Sequence, residues 1–204
     1  TGRSRLTLAG HALEVLSVAY SPDGQRFATG SLDATAIIWN AISGQQLVTL
    51  VGHEVGVRDI AFSPDRGRVA TAGFDGTARV WDTVSGSQVL TMTGHSGLVL
   101  GVAFSPDGRH LATSSTDRTA KIWNAQTGEL EMTLSGHEGA IPDIAYSPDG
   151  TKLATGSGDR TIRLWDTATG AKELTLVGHS AQIQSVSFSP DGQLLATGSE
   201  DNTA

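Results

Sequence analysis

Residues 10–51 read GHALEVLSVAYSPDGQRFATGSLDATAIIWNAISGQQLVTLV, and the same pattern returns along the whole chain of 204 residues. Three markers repeat in one register at intervals of 42 residues. Gly-His begins at 10, 52, 94, 136 and 178; Ser-Pro-Asp begins at 21, 63, 105, 147 and 189; tryptophan followed by Asp or Asn stands at 39, 81, 123 and 165. A fixed period of this length indicates one structural unit that stacks on copies of itself.

Each unit is predicted to form four short strands. In the first unit these are Val15–Tyr20, Phe27–Ser31, Thr35–Trp39 and Leu47–Leu50. The first strand is nearly continuously apolar, so we expect an inner strand that is buried on both faces. Residues 21–24 predict a turn, because proline presets φ at the second turn position and glycine tolerates the exit geometry. The fourth strand is expected to be the outermost.

The chain resembles the WD-repeat family of β-propellers, and in particular its bacterial-type members with near-identical blades. The resemblance lies in Gly-His at the start of the unit, Trp-Asp near its end, the 42-residue period and the four strands. It covers the whole chain and implies an all-β fold, a β-propeller of four-stranded antiparallel blades with about five blades present. Within the domain 1–204 the repeats are 10–51, 52–93, 94–135, 136–177 and a partial repeat, 178–204.

Both ends of the chain are expected to fall inside a blade. Residues 1–9 predict the outer strand of a preceding or closing blade, with the strand itself at Arg5–Leu8, and a third strand is expected to begin at residues 202–204. Two arrangements stay open: five blades that close with a damaged seam, or a section of a longer ring. An open stack exposes an apolar blade face at each end, which favours association with missing blades or with another copy, a homo-oligomer through the open blade ends.

Histidine, aspartate, a hydroxyl and tryptophan recur together in the units. The loops with His and Asp are expected on one face of the blade, so one imidazole nitrogen can reach the carboxylate. The other imidazole nitrogen can reach the Thr hydroxyl, which can accept a hydrogen bond from the indole N–H of Trp. The resemblance implies a structural tetrad, which satisfies polar groups that cost about 1–3 kcal/mol each when buried unpaired. The predicted tetrads are His11, Asp33, Thr29 and Trp39; His53, Asp75, Thr71 and Trp81; His95, Asp117, Thr113 and Trp123; His137, Asp159, Thr155 and Trp165; with His179, Asp201 and Thr197 in the partial unit.

No catalytic residue, metal site or cofactor is predicted. A nucleophile must be exposed beside oxyanion donors, and five equivalent triads in one chain favour a structural explanation. One histidine per unit places the imidazoles on separate blades, whereas a metal ion needs three or four ligands within about 2–2.6 Å. His110 is the additional histidine, and we expect it to be solvated because Arg26, Arg68 and Lys152 stand at the same position elsewhere.

Composition narrows the range of partners and compartments. The net charge is −7 and the 14 basic residues are scattered, so no nucleic acid is expected to bind. No apolar run approaches 18 residues, so no membrane contact is expected. The chain has no cysteine, which fits a reducing compartment and a cytoplasmic location.

Positions that vary from unit to unit are candidates for recognition. They lie three and five residues after His and one residue before Asp, and apolar side chains concentrate there in the first three units. The predicted partner-binding residues are Leu16, Leu32, Arg58, Phe74, Leu98 and Leu100. The alternative is that some of the leucines pack against the next blade or line a central channel. We expect a non-catalytic protein–protein interaction scaffold for a protein or peptide, within a larger multidomain signalling or sensor protein; the alternative is a self-assembling structural module.

Overall fold

A computed structural model describes residues 6–204, which contain 18 β-strands and no helix. The strands are β1 Val15–Tyr20, β2 Arg26–Ser31, β3 Thr35–Asn40, β4 Gln46–Val51, β5 Val57–Phe62, β6 Arg68–Gly73, β7 Ala78–Asp82, β8 Gln88–Met92, β9 Val99–Phe104, β10 His110–Ser115, β11 Ala120–Asn124, β12 Leu130–Leu134, β13 Asp143–Tyr146, β14 Lys152–Gly156, β15 Thr161–Asp166, β16 Lys172–Val177, β17 Ile183–Phe188 and β18 Leu195–Ser199. The predicted strands of the first unit agree with β1–β4 to within one residue at each end.

The strands form four four-stranded sheets and one two-stranded sheet, each in sequential order. All pairings are antiparallel. We call the sheets blade 1 (β1–β4), blade 2 (β5–β8), blade 3 (β9–β12), blade 4 (β13–β16) and the partial blade 5 (β17 and β18). The predicted all-β class and the four-stranded antiparallel blades are confirmed.

The Ser-Pro-Asp step closes the first turn of each blade. In blade 1 the Ser21 hydroxyl donates to Asp23 at 2.7 Å and accepts the Arg26 backbone N–H at 3.0 Å. Gly24 leaves the turn with φ of +67°, a left-handed conformation that glycine adopts without steric cost. Blade 2 carries Arg66 at the same position with φ of +66°.

The apolar core lies between consecutive blades. Ala28, Ile38 and Leu50 of blade 1 pack against Ile60 and Trp81 of blade 2, all of them buried. Three further clusters join blades 2 and 3, 3 and 4, and 4 and 5 in the same way. Because burial of a large aliphatic side chain such as Ile38 or Leu50 stabilises the fold by about 1.5–3 kcal/mol, face-to-face stacking is the main source of cohesion.

The first strand of every blade faces a central channel. A cavity of about 280 Å³ is lined by Leu16, Arg58, Leu100, Pro142 and Gln184, one residue from each blade. The five blades are therefore arranged around one axis, and the tetrad loops lie at one end of it.

Burial of the inner strand on both faces, as predicted, is wrong for β1. Val18 and Tyr20 are 62% and 65% exposed, whereas Ile60 and Phe62 at the same positions of blade 2 are 4% and 9% exposed. The difference arises because blade 1 covers β5, while no described blade covers β1. In residues 6–204 the ring is open at this edge.

The strand predicted at Arg5–Leu8 is not formed over residues 6–8, and Arg5 lies outside the described residues. Residues 6–8 nevertheless lie where an outer strand would. A Cβ added at Gly44 would be 2.7 Å from Leu8 Cδ2, and one added at Gly86 would be 2.5 Å from Val48 Cγ1 of the true outer strand β4. Residues 6–8 would pair with the third strand of their own blade, and that strand is not among the described strands. The third strand expected from residue 202 is likewise not formed.

Candidate functional site

The predicted tetrad hydrogen bonds are present in the structure. In blade 2, His53 Nδ1 lies 2.8 Å from Asp75, His53 Nε2 lies 2.7 Å from the Thr71 hydroxyl, and Trp81 Nε1 donates to the same hydroxyl at 2.9 Å. Blades 1, 3 and 4 repeat these bonds at 2.7–2.9 Å. In blade 5, His179 reaches Asp201 at 2.8 Å and Thr197 at 2.9 Å.

Burial favours the neutral imidazole in blades 2, 3 and 4, and hydrogen bonds keep their aspartate partners ionised. Desolvation lowers the pKa of His53, His95 and His137, despite their aspartate partners. Burial alone would raise the pKa of Asp117, but hydrogen bonds from Thr119 and His95 outweigh it and lower the pKa to about 2. A neutral imidazole that donates from Nδ1 to Asp accepts at Nε2 from Thr, so each hydrogen atom has one acceptor.

The threonine of the tetrad is not placed to attack a substrate. Thr71, Thr113 and Thr155 have no exposed surface. Their hydroxyl oxygens already accept an indole N–H and lie at hydrogen-bond distance from an imidazole. The arrangement therefore matches a buried polar network and lacks the open nucleophile that hydrolysis needs.

Sequence reasoning missed a fifth member of the network. The Thr77 hydroxyl donates to the second oxygen of Asp75 at 2.7 Å, and the backbone N–H of Glu54, the residue after His53, donates to the first at 3.1 Å. The same hydroxyl bond recurs in all five blades. The signal was available, because threonine stands two residues after the tetrad aspartate in every unit.

Two aspartates in the channel wall were also missed. Asp59 accepts the backbone N–H of Val102 at 3.0 Å, and Asp143 accepts that of Val186 at 2.8 Å, so each carboxylate bonds to the next blade. Burial raises the pKa of Asp59 to about 6 and also raises that of Asp143, while the nearby Arg58 lowers both. Their separation of 84 residues, two repeat periods, was the signal in the sequence.

The predicted partner-binding residues divide into two groups. Leu16, Arg58 and Leu100 line the central channel, a position that the alternative had expected for some of the leucines and not for Arg58. The other three lie on the rim of the face that carries the tetrad loops, which we call the tetrad face. These rim residues are Leu32, Phe74 and Leu98.

A second cavity connects the rim residues of blades 2 and 3. It measures about 420 Å³ and is lined by Phe74, Leu98 and the tetrad histidine His95. A Cβ added at Gly56 would lie 2.9 Å from Leu32 Cδ2 and 3.4 Å from Phe74 Cδ2, so these two side chains flank one glycine. Among the six residues only Leu98 is exposed, at 42%, and the others are half-buried.

His110 is half-exposed, but it is not simply solvated as expected. Its Nε2 lies 3.2 Å from a Glu131 oxygen. Over residues 6–204, no group of three or more His, Cys, Asp or Glu side chains is arranged to hold a metal ion. Within the same range, no helix has the length and apolar character needed to cross a membrane.

Comparison with known families agrees with this geometry. A model described as "WD domain, G-beta repeat" matches residues 2–40, and a model described as "IFT122 first beta-propeller" matches residues 56–203. The second match covers most of the chain. The protein therefore belongs to the WD-repeat β-propeller family, whose members generally act as non-catalytic scaffolds for protein–protein interaction.

Two relatives share short segments with the chain. One is the Vegetative incompatibility protein HET-E-1 of Podospora anserina, 60% identical over 38 residues, which are 19% of this chain and 3% of that protein. The other is the Notchless protein homolog of Arabidopsis thaliana, 50% identical over 38 residues, which are 19% of this chain and 8% of that protein. The matches therefore span a small part of each relative.

Proposed function

We propose that the tetrad face binds a protein or peptide segment, with Phe74 and Leu98 as the main apolar contacts. The observation that carries this proposal is the 420 Å³ cavity between blades 2 and 3, which both side chains line. The tetrad residues of its lining, Asp75 and His95, recur in every unit, whereas the two apolar positions change from unit to unit. Accessible apolar side chains in a concave site are typical binding anchors.

In this proposal the tetrads are structural and fix the conformation of the rim loops. The loop after each fourth strand is tied to Asp by the imidazole and by a backbone N–H, and the turn with Asp is tied by the Thr hydroxyl. A rim that is already ordered loses little conformational entropy when a partner binds. Arg58, in the channel beside this rim, supplies a cationic contact.

The test uses peptides selected from a random display library on the wild-type protein. Phe74→Ala and Arg58→Ala should each weaken their binding by about 1–3 kcal/mol, because hot-spot truncations have this size. Ile42→Ala is the matched control, since Ile42 is 83% exposed in the turn between β3 and β4, at the opposite end of the blade. The unfolding midpoints of all three variants should stay close to that of the wild-type protein. Selected peptides that bind Phe74→Ala and Arg58→Ala as tightly as the wild type would show that the site lies elsewhere.

The wider setting is part of the same proposal. We place the propeller in a cytoplasmic, multidomain signalling or sensor protein. The absence of cysteine supports a reducing compartment. The match to 3% of HET-E-1 supports the view that repeats like these occur within much longer chains.

A second candidate function is self-assembly through the open face of blade 1, with a second copy of the chain as the occupant. Val15, Val18 and Tyr20 are 52–65% exposed there, while Val57 and Ile60 at corresponding positions of blade 2 are covered by a neighbouring blade. Sedimentation should then show a mass that rises with concentration and falls back to the monomer in Val18→Asp. A concentration-independent monomer would remove this candidate.

A further inference from the structure

At the end of the ring opposite the tetrads, each pair of consecutive blades encloses a notch. In two of these notches an arginine side chain of the preceding blade fills the space. In the first notch, between blades 1 and 2, Arg26 donates to the Thr83 hydroxyl and to the Arg66 carbonyl, both at 3.0 Å. In the second, Arg68 donates to the carbonyls of Ala125 and Gly108. Its guanidinium carbon also lies 5.9 Å from the centre of the Phe104 ring.

The third notch, between blades 3 and 4, is open. His110 stands where Arg26 and Arg68 stand in the earlier repeats, and its shorter side chain turns to Glu131. A cavity of about 400 Å³ remains, lined by both blades.

The third notch retains the acceptors that bind arginine in the first. The Thr167 hydroxyl donates to the Gly150 carbonyl at 2.7 Å, just as the Thr83 hydroxyl donates to the Arg66 carbonyl at 2.9 Å. Thr167 and Gly150 both line the cavity. The hydroxyl oxygen and carbonyl oxygen that accept the Arg26 guanidinium therefore have direct counterparts here.

The third notch also has a hydroxyl that the filled notches lack. Tyr146 stands where Phe104 stands in the second notch, and its hydroxyl is buried with no hydrogen-bond partner in the described structure. Burial and the charges of Asp107 and Glu131 raise the pKa of this phenol, so it stays protonated. An unpaired buried hydroxyl is costly, and a polar ligand in the cavity would relieve that cost.

The charge of the notch is negative. Glu131 replaces Leu47 and Val89 of the earlier repeats, and Asp107 and Asp149 also line the cavity. Of the cavity-lining side chains only His110 can carry a positive charge, and it is already paired with Glu131. A cation is the complementary ligand.

We propose that the notch between blades 3 and 4 binds a guanidinium group supplied from outside the chain. The group lies as the Arg26 guanidinium does, donating to the Gly150 carbonyl and the Thr167 hydroxyl, with Glu131 as the counter-ion. The Tyr146 ring lies beside it, and the Tyr146 hydroxyl oxygen is a third acceptor. The planar fork of a guanidinium reaches two acceptors at once, which an ammonium cannot do in the same geometry. This site lies at the opposite end of the blades from the tetrad face and does not depend on the function proposed there.

The first experiment is an NMR titration of the whole chain with three probes. These are the blocked peptides Ac-Gly-Arg-Gly-NH₂ and Ac-Gly-Lys-Gly-NH₂, and free arginine. Saturable shifts of the Gly150 and Thr167 amides are expected with the arginine peptide, and binding of the lysine peptide should be at least tenfold weaker. If free arginine binds equally well, the guanidinium alone is recognised; if only the peptide binds, the source is a partner protein. No saturable shift with either arginine probe, or equal binding of lysine, overturns the proposal.

Variants then locate the site. His110→Arg should reduce binding of the arginine peptide at least tenfold, because the new side chain fills the notch as Arg26 and Arg68 fill theirs. Glu131→Gln and Tyr146→Phe should each reduce it by about three- to tenfold, the effect of one lost hydrogen bond or charge contact. Unchanged binding in His110→Arg, or in both of the other variants, overturns the proposal.

Two controls separate this site from its surroundings. Lys152→Arg makes a similar change at the next notch and should leave binding of the arginine peptide unchanged. Phe74→Ala, on the tetrad face, should also leave it unchanged, so failure of the function proposed for that face is distinguishable from failure here. If His110→Arg does not fold, the titrations of Glu131→Gln and Tyr146→Phe decide the question. Loss of binding in either control overturns the assignment to this notch.

Discussion

Thr71→Val should destabilise the fold more than almost any other loss of a single oxygen atom. Thr71 is fully buried, and its hydroxyl contacts His53 Nε2 at 2.7 Å and Trp81 Nε1 at 2.9 Å. Valine has the same shape, so no cavity forms, but both nitrogen atoms lose their partner. At about 1–3 kcal/mol for each unsatisfied buried group, the expected cost is about 2–6 kcal/mol. This is a large part of the roughly 5–15 kcal/mol that stabilises a typical domain.

The chain provides two matched controls for this variant. Thr197→Val removes the equivalent hydroxyl of blade 5, which contacts His179 at 2.9 Å and no indole among the described residues, at a half-buried site. It should cost about 1 kcal/mol or less. Thr71→Ser keeps the hydroxyl and removes one methyl group, which should cost about 1 kcal/mol.

The assay is guanidinium chloride unfolding followed by tryptophan fluorescence. The change in free energy is interpretable when the slope with denaturant is the same for all variants. If Thr71→Val costs no more than Thr197→Val or Thr71→Ser, the tetrad hydrogen bonds do not stabilise the blade as reasoned here.

Two other predictions concern pH and backbone conformation. The free energy of unfolding should fall as pH drops through about 6.5, because the pKa of His53, His95 and His137 is lowered in the folded state and the unfolded chain then binds more protons. It should fall again from about pH 4 towards 2, because the pKa of Asp117 is lowered to about 2. Asp59, with its pKa raised to about 6, opposes the loss between pH 6 and 4. Urea midpoints from pH 7.5 to 2.5 should show this, with a steeper fall in Asp59→Asn, and a midpoint that is constant or rises on acidification would contradict it. Gly24→Ala should cost about 1–2 kcal/mol for a left-handed φ of +67° in open space. Gly86→Ala should cost at least about 1 kcal/mol more, because its Cβ would lie 2.5 Å from Val48 Cγ1 at a similar φ of +72°; equal thermal midpoints would show that Val48 moves aside freely.

The blade and its hydrogen-bond network were predictable because both repeat. His11, Asp33, Thr29 and Trp39 recur at fixed spacing, and strand pairing brings residues at fixed spacing to the same place in each blade. Thr29 was distinguished from Ser31 because threonine is present in all five units at that position, while Gly73 replaces the serine in the second. The hydroxyl of Thr35 carries the same periodic signal.

The position of the partner-binding candidates was harder to predict. The repeat positions of Leu16 and Leu32 both change from unit to unit, yet Leu16 lines the channel and Leu32 lies on the rim. The separation depends on how far each residue lies from the axis of the ring. That distance results from the packing of neighbouring blades, which spacing within one unit does not report.

The sequence by itself determined the period, the four strands of each blade and the partners within each tetrad, since all of these depend on contacts inside one 42-residue unit and its link to the next. Only the tertiary structure decided which faces are covered and which notches are filled. Val18 is exposed while Ile60 is buried, and the notch beside His110 is open while the one beside Arg68 is filled, because each outcome depends on the side chains of a neighbouring blade. Burial is a property of the packed ring, and identical units acquire different surfaces from different neighbours.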